Sequence, residues 1–495
     1  MRYLALVGWL LLPSIQAQAP PVAEQSTSFN STFALTDSQI SGANLTGEQA
    51  KAINTVVNFE RSQHANGGVF EDEFYTLPPL INGTVPAAGA ILKLQDFTPT
   101  ESFALPPNTA LSRFLYTTQN LNGTVIPASA FVLWPYTPRQ FESETSTRDV
   151  HDNSTQKAPV VLWTHGTSGF FARAAPSTDR SLWYGHAAPF ALAQAGYAVI
   201  APDYAGLGIS ASWDGSEIPH QYLASPVSAS DALYSLRAAF GAFGDKLDGR
   251  FAVLGHSQGG GVAWAVAEAL ESSAGFADLA RAHVGTVAAS PTTDVFTGVP
   301  SFIVPWLSLF LGGIFPSFRQ DTWLTPLGIA RAGLLKEIQG GIAVSTQLFF
   351  SLPAGELLQP GWNESYYAAA YGGLANAGGK KFRGPMLVLQ GGDDMYVPYP
   401  TTTKTVEDTC ERFSDSDLEY LVAPGVGHVP MLVGTMHTWL QWIQDRFEGK
   451  PLKKNGCVTN QVQSLLPHGQ YQAAGNSFLQ WAGATKYSYE TSLGP

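Results

Sequence analysis

The chain is poor in cysteine: Cys410 and Cys457 are the only two among 495 residues. That excludes a disulfide-stapled scaffold. It also leaves no C-x-x-C pair, and with no H-E-x-x-H either, the sequence carries no metal or cofactor signature. Charge is sparse as well. Asp, Glu, Lys and Arg make up 13% of the residues, the net charge is −12, and no basic run resembles a nucleic-acid footprint. Long apolar runs are missing too. The best candidate, 302–315, is interrupted by Pro305 and Gly312-Gly313 and followed by Pro316, which argues against a membrane-spanning helix. What remains is a chain 45% apolar, the composition of a compact globular protein. Its length allows several domains or one enlarged domain with insertions.

The beginning reads as an address. Met1-Arg2 is followed by an apolar run to Leu12, then by Ala17-Gln18-Ala19. A basic tip, a short apolar stretch and an A-x-A site predict a secretory signal peptide over 1–19, with cleavage after Ala17 or Ala19. The apolar run is too short to span a bilayer comfortably. Six N-x-S/T sequons, at Asn30, Asn44, Asn82, Asn122, Asn153 and Asn363, predict a glycosylated extracellular protein. In that oxidising compartment Cys410 and Cys457 are expected to close a disulfide; two buried thiols are the alternative.

Residues 20–75 are polar and show no strong period. Residues 114–118 and 130–134 are β-rich, and Asn122-Gly123 between them, tolerant of positive φ at both positions, predicts a hairpin. Further on come short continuous apolar runs: 160–164, 197–201, 251–254, 284–289, 386–390 and 418–422. Gly, Pro or His follows each within two residues. Strands apolar on both faces are what a parallel sheet needs when helices cover both sides. Helical patterns lie between them, at 231–240, 262–270 and 438–447. The sum is α/β, a doubly wound and mostly parallel sheet. More than ninety residues separate the fourth run from the fifth, enough for an inserted helical cap over 292–380.

Within Val253–Gly261 lies Gly255-His256-Ser257-Gln258-Gly259, a G-x-S-x-G. In so glycine-rich a chain the bare motif arises easily by accident. Its setting is specific: a buried strand before it, a helical pattern after it. That is the strand–turn–helix elbow of a nucleophilic serine, and the helix start turns N–H groups towards developing negative charge. A serine hydroxyl needs a base, and the base an orienting acid, in the chain order Ser, acid, His. Two glycine-bearing loops after the last two runs supply them. Asp394 is preferred to its neighbour Asp393, with Asp294 a third candidate; His428 is preferred to His437. The oxyanion donors are expected to be the N–H groups of Gln258 and of Thr167, with Gly166 next to it, in the loop after 160–164.

Three elements together resemble the fungal secretory lipase family: the ordered Ser257, Asp394 and His428, the stretch Ala201-Pro202-Asp203-Tyr204-Ala205-Gly206-Leu207-Gly208, and the stretch from Trp442 to Pro451. The resemblance spans roughly 70–460. It implies an α/β-hydrolase whose helical cap covers an acyl-binding tunnel, a mobile C-terminal flap, and a Cys410–Cys457 link. The implied layout is a signal at 1–19, hydrolase core at 20–291 and 381–456, cap at 292–380, and flap at 457–495. The family's second disulfide has no cysteines here, and its oxyanion loop differs from His165-Gly166-Thr167-Ser168-Gly169. The expected activity is secreted serine carboxylic ester hydrolysis without a cofactor, on a lipid or other acyl ester, with transient contact at a lipid interface and no nucleic-acid partner. A short-acyl esterase, an acyltransferase using an alcohol in place of water, a serine carboxypeptidase and a non-catalytic binding protein of this fold are the alternatives.

Overall fold

A computed structural model describes residues 32–141, 156–297 and 300–471. The expected signal segment, Asn30, Asn153 and residues 472–495 lie outside the described residues.

The centre is a ten-stranded sheet. Its strands are β1 (Ile91–Gln95), β2 (Ala110–Gln119), β3 (Val125–Trp134), β4 (Ala158–Thr164), β5 (Ala198–Pro202), β6 (Leu247–His256), β7 (His283–Ala289), β8 (Met386–Gly391), β9 (Leu418–Ala423) and β10 (Cys457–Gln461). The order across the sheet is β1-β2-β3-β5-β4-β6-β7-β8-β9-β10. The first three strands run antiparallel, and β3 pairs antiparallel with β5. From β5 to β10 every pairing is parallel. All six continuous apolar runs are strands, and β4 shows why. Val160 and Leu162 pack on one face with Ala232 and Leu236 of the helix Ser225–Ala242. Val161 and Trp163 pack on the other with Trp439 and Ile443 of the helix Met436–Phe447. Both faces are covered, so neither set of alternate residues can be polar. The expected doubly wound α/β architecture is the one observed.

The expected hairpin exists but its turn differs. β2 and β3 pair from Ala110↔Trp134 to Gln119↔Val125, leaving the five-residue loop 120–124. Only Gly123, at φ 83°, takes the left-handed conformation there. Asn122 instead uses its side-chain oxygen to accept from the Thr124 N–H and hydroxyl, a local competition that favours the longer turn.

Between β7 and β8 the chain runs through the helices Ile303–Ser308, Leu311–Ile314, Pro326–Ile338, Ile342–Phe349, Ala354–Leu357 and Tyr366–Ala375. The apolar stretch 302–315 is thus two short helices, and among the described residues no helix is long and apolar enough to cross a membrane. These helices hold their own core, which includes Trp306, Leu335, Val344 and Leu348. Residues read as structureless join that core. Two helices opened by capping boxes (Thr36/Gln39 and Thr46/Gln49) meet it: Asp37–Gly42 lays the partly buried Ile40 on it, and Gly47–Ser62 buries Ile53, Val56 and Val57 against it. Glu60 reaches from the second of them to accept from the Gly341 N–H at 2.8 Å and the Val344 N–H at 3.0 Å.

The first residues of the expected C-terminal flap belong to the sheet. Residues 457–461 form β10, paired in register from Cys457↔Leu418 to Gln461↔Val422. An edge strand with exposed faces needs no apolar run, so Cys-Val-Thr-Asn-Gln did not read as one. The Cys410–Cys457 disulfide is formed, tying β10 to the helix Tyr399–Arg412. The described sequon residues Asn44, Asn82, Asn122 and Asn363 are all exposed.

Candidate active site

Ser257 sits between β6 and the helix Gln258–Ser272 with φ 61° and ψ −122°, a left-handed backbone held by its neighbours. Its N–H donates to the Ala289 carbonyl at 2.9 Å, and its carbonyl accepts from the N–H groups of Gly261 and Thr292. The flanking glycines are required by space. A Cβ on Gly255 would collide with the Gly259 carbonyl and the Thr164 hydroxyl, and one on Gly259 with the Thr164 carbonyl. The turn therefore presses directly on β4, which lifts Ser257 out of the sheet end. Among the described residues its hydroxyl makes no hydrogen bond.

The expected acid and base lie at the ends of β8 and β9. Asp394 Oδ2 lies 2.7 Å from His428 Nδ1, and both residues are buried. The other carboxylate oxygen, Oδ1, accepts from the N–H groups of Tyr396 and Val397, each at 2.9 Å. The Gln390 amide donates to the Val397 carbonyl at 3.0 Å and holds the loop. Burial pushes the Asp394 carboxyl up, but His428 and the two N–H groups outweigh it, and its pKa lies below the usual carboxylate value. His428 opens the helix His428–Gly434, leaving Nε2 directed away from the acid. The rivals are elsewhere. Asp393 is exposed. Asp294 closes its own turn onto Phe296 and Thr297. His437 is exposed and touches only Thr438 among the described residues.

His256, inside the motif but unremarked in the sequence, links nucleophile and base. Its ring centroid lies 4.6 Å from that of His428, and its Nε2 meets the His428 carbonyl at 3.0 Å. Burial drives its pKa down to about 3, so it is a neutral spacer beneath His428. This contact brings the residue next to Ser257 against the base.

The loop that carries Gly166 and Thr167 lies against the elbow. A Cβ on Gly166 would lie 3.2 Å from the His256 carbonyl, so the loop after β4 abuts the elbow. The Trp183 indole N–H donates to the Gly166 carbonyl at 3.1 Å, and Thr167 Oγ1 lies 2.7 Å from the Tyr222 hydroxyl. The N–H groups of Gln258 and Thr167 make no hydrogen bond among the described residues. Such an arrangement can activate a hydroxyl, form an ester with it, and stabilise an oxyanion beside it.

Aromatic side chains roof the site. Tyr396 packs on His428 at 5.3 Å and on Phe302 at 6.5 Å. Phe302 meets Trp306, Trp306 meets Phe170 and Tyr222, and Tyr222 reaches back to Thr167. The first helix of the insertion therefore spans from His428 to the loop after β4.

The family model described as "Alpha/beta hydrolase family" matches residues 160–435. The fold is similar to Candida antarctica lipase A in its closed state, with TM-score 0.59 and 16% identity over 86% of this chain and 94% of that one. It is also similar to the rice cell wall degrading esterase LipA from Xanthomonas oryzae, with TM-score 0.54 and 18% identity over 73% of this chain and 98% of that one. No curated protein matches the sequence at a significant level.

Proposed function

The chain belongs to the alpha/beta hydrolase family, and from that premise we propose that it is a secreted serine carboxylic ester hydrolase. Ser257 Oγ attacks the ester carbonyl while His428 Nε2 takes its proton. The tetrahedral oxyanion is held by the N–H groups of Gln258 and Thr167. As the intermediate collapses, His428 returns the proton to the leaving alcohol, and Asp394 holds the imidazole in the tautomer this needs. Water then enters, loses a proton to His428, and cleaves the acyl-enzyme, regenerating Ser257 and a free acid.

The observation that carries this reading is the buried Asp394–His428 pair at 2.7 Å, joined through His256 to the Ser257 elbow. Ester chemistry, as opposed to another hydrolysis, is supported by the fold neighbours named as a lipase and an esterase. In this reading the acyl substituent lies under the apolar roof of Phe302, Trp306 and Phe170. The half-exposed Phe350, packed on Phe302 at 5.2 Å, supports contact with a lipid surface. Residues 292–380 act in this reading as a cap. Secretion rests on the N-terminal signal pattern and the sequons.

The test is hydrolysis of nitrophenyl esters with two- to sixteen-carbon acyl groups, by this protein and by Ser257→Ala. Loss of the nucleophile should lower kcat by about 10⁴-fold or more. Equal rates from the two proteins would sink the assignment. Efficient cleavage of long chains makes it a lipase, and cleavage of two- to four-carbon esters alone makes it a small-acyl esterase. N-terminal sequencing of the protein exported by a eukaryotic host checks secretion: the mature chain should begin at Gln18 or Pro20, and a chain retained with Met1 would refute it.

A further inference from the structure

The two oxyanion residues come from different strands, Thr167 after β4 and Gln258 after β6. The gap between their N–H groups must be held to a fraction of an ångström for both to reach one oxygen. One short segment, Pro219-His220-Gln221-Tyr222, touches the side chains of both.

His220 is buried, and its Nδ1 lies 3.1 Å from the Ala205 carbonyl. Donating there, the ring keeps Nε2 as an acceptor, and the Gln258 side-chain amide sits 3.2 Å from it. The tautomer is consistent with burial, which pushes the His220 pKa down to about 3. Two residues on, Tyr222 places its hydroxyl 2.7 Å from Thr167 Oγ1. A 2.8 Å bond from the Tyr222 N–H to the His220 carbonyl locks the two together.

This segment is itself anchored on both sides. On the core side, the Tyr204 ring stacks on His220 at 6.0 Å and on His165 at 4.2 Å, and His165 leads directly into Gly166-Thr167. The Asp231 carboxylate accepts the Ala205 N–H at 3.0 Å beneath them. On the roof side, the Tyr371 hydroxyl donates to the Tyr222 carbonyl, and the Tyr222 ring packs on Trp306 and Phe310 at 6.2 Å each. Tyr222 is thus the point where the inserted helices touch the oxyanion loop.

We propose that His220 and Tyr222 are positioning residues that set the oxyanion gap, His220 through Gln258 and Tyr222 through Thr167. This rests on the esterase reading. It adds that the insertion reports to the chemistry through Tyr222 as well as covering it.

The test uses Tyr222→Phe, which keeps the ring and removes the bond to Thr167, and His220→Asn, whose amide keeps the bond to Ala205 and loses Gln258. Both are titrated to endpoint with a fluorophosphonate, so that kcat is per competent Ser257. A trifluoromethyl ketone, whose adduct with Ser257 carries an oxyanion, probes the gap. Each variant should label fully, keep KM within about twofold, and lose about tenfold in kcat and the same factor in ketone affinity, as expected for loosening rather than deleting a donor. In a Thr167→Val background, Tyr222→Phe should cost nothing further. Unchanged kcat per labelled site, or a kcat loss without loss of ketone affinity, would overturn the proposal. A wild-type protein without Ser257-dependent esterase activity would instead overturn the reading beneath it.

Discussion

Replacing Asp394 by Asn changes one atom, and the hydrogen bonds dictate where that atom must go. The carboxylate accepts on both sides: the Tyr396 and Val397 N–H groups at Oδ1, and at Oδ2 His428 Nδ1 together with a long 3.4 Å bond from the Gln390 amide. Asparagine has one accepting oxygen and one donating NH₂. Turning the NH₂ towards the two backbone donors leaves both unmade in a buried site, at about 1–3 kcal/mol each. The amide oxygen therefore stays with them and the NH₂ faces His428. The imidazole must then present a lone pair at Nδ1, which moves its proton to Nε2 and removes the base from Ser257. With a mid-range cost of about 4 kcal/mol, roughly one molecule in a thousand keeps the productive arrangement. The variant should fold normally and lose about 10³-fold in kcat, in keeping with the roughly 10⁴-fold known for this change in serine proteases. The assay is steady-state ester hydrolysis at pH 8, with circular dichroism as the folding control. A folded variant retaining a tenth of the parent kcat would refute the reasoning and move the acid elsewhere, Asp294 first.

Two further outcomes follow from geometry and burial. Gly259→Ala drives a methyl into the Thr164 backbone, so it should lose about 3 kcal/mol or more of stability, or fail to fold, in thermal melts; a variant within 1 kcal/mol of the parent would mean the elbow can move off β4. Five buried histidines, His64, His165, His220, His256 and His283, have pKa values pushed down to about 3 or 4 by burial, below the roughly 6.5 of an unfolded chain, so stability is lost as pH falls through 6.5. Glu60 and Asp231, raised to about 7, and Asp203, raised to about 6, act in the opposite direction, gaining stability as pH falls towards 4. Burial also raises Asp179 and Glu268 and lowers His186; with six such histidines against five such carboxyls, urea midpoints should decline from pH 6.5 to pH 4.5, and a flat or rising profile would contradict the buried neutral histidines.

The parts of this protein that were legible in its sequence are those where one physical demand acts alone. β4 to β8 are covered on both faces, so each carries a mostly apolar run ending where the site begins, and β9 does so with only Glu419 interrupting it. Ser257, Asp394 and His428 stand out because a strained elbow needs glycines and because the acid and base loops follow the last two such runs. Elsewhere two demands compete. β1 and β10 lie at sheet edges, where exposed faces admit Lys93, Asn460 and Gln461 and the apolar signal vanishes. The helix Gly47–Ser62 buries one stripe and leaves the rest to water. Its Thr46/Gln49 capping box was the available sign, and it was outweighed by polar composition. His220 and Tyr222 sit some 35 residues before Ser257 with no local motif, because what defines them is contact across the fold.

The bond from Glu60 to the Gly341 N–H joins residues 281 positions apart in the chain. During synthesis at about 5–20 residues per second, the helix carrying Glu60 is complete about 15–60 s before its partner exists. For that interval Ile53, Val56 and Val57 have no core to enter, while the central sheet between them and their destination is being made. The first long helix among the described residues to leave the ribosome is therefore among the last to be buried. The nascent chain must carry a greasy, carboxylate-tipped face through translation, and holding that face in solution falls to whatever receives the chain as it emerges.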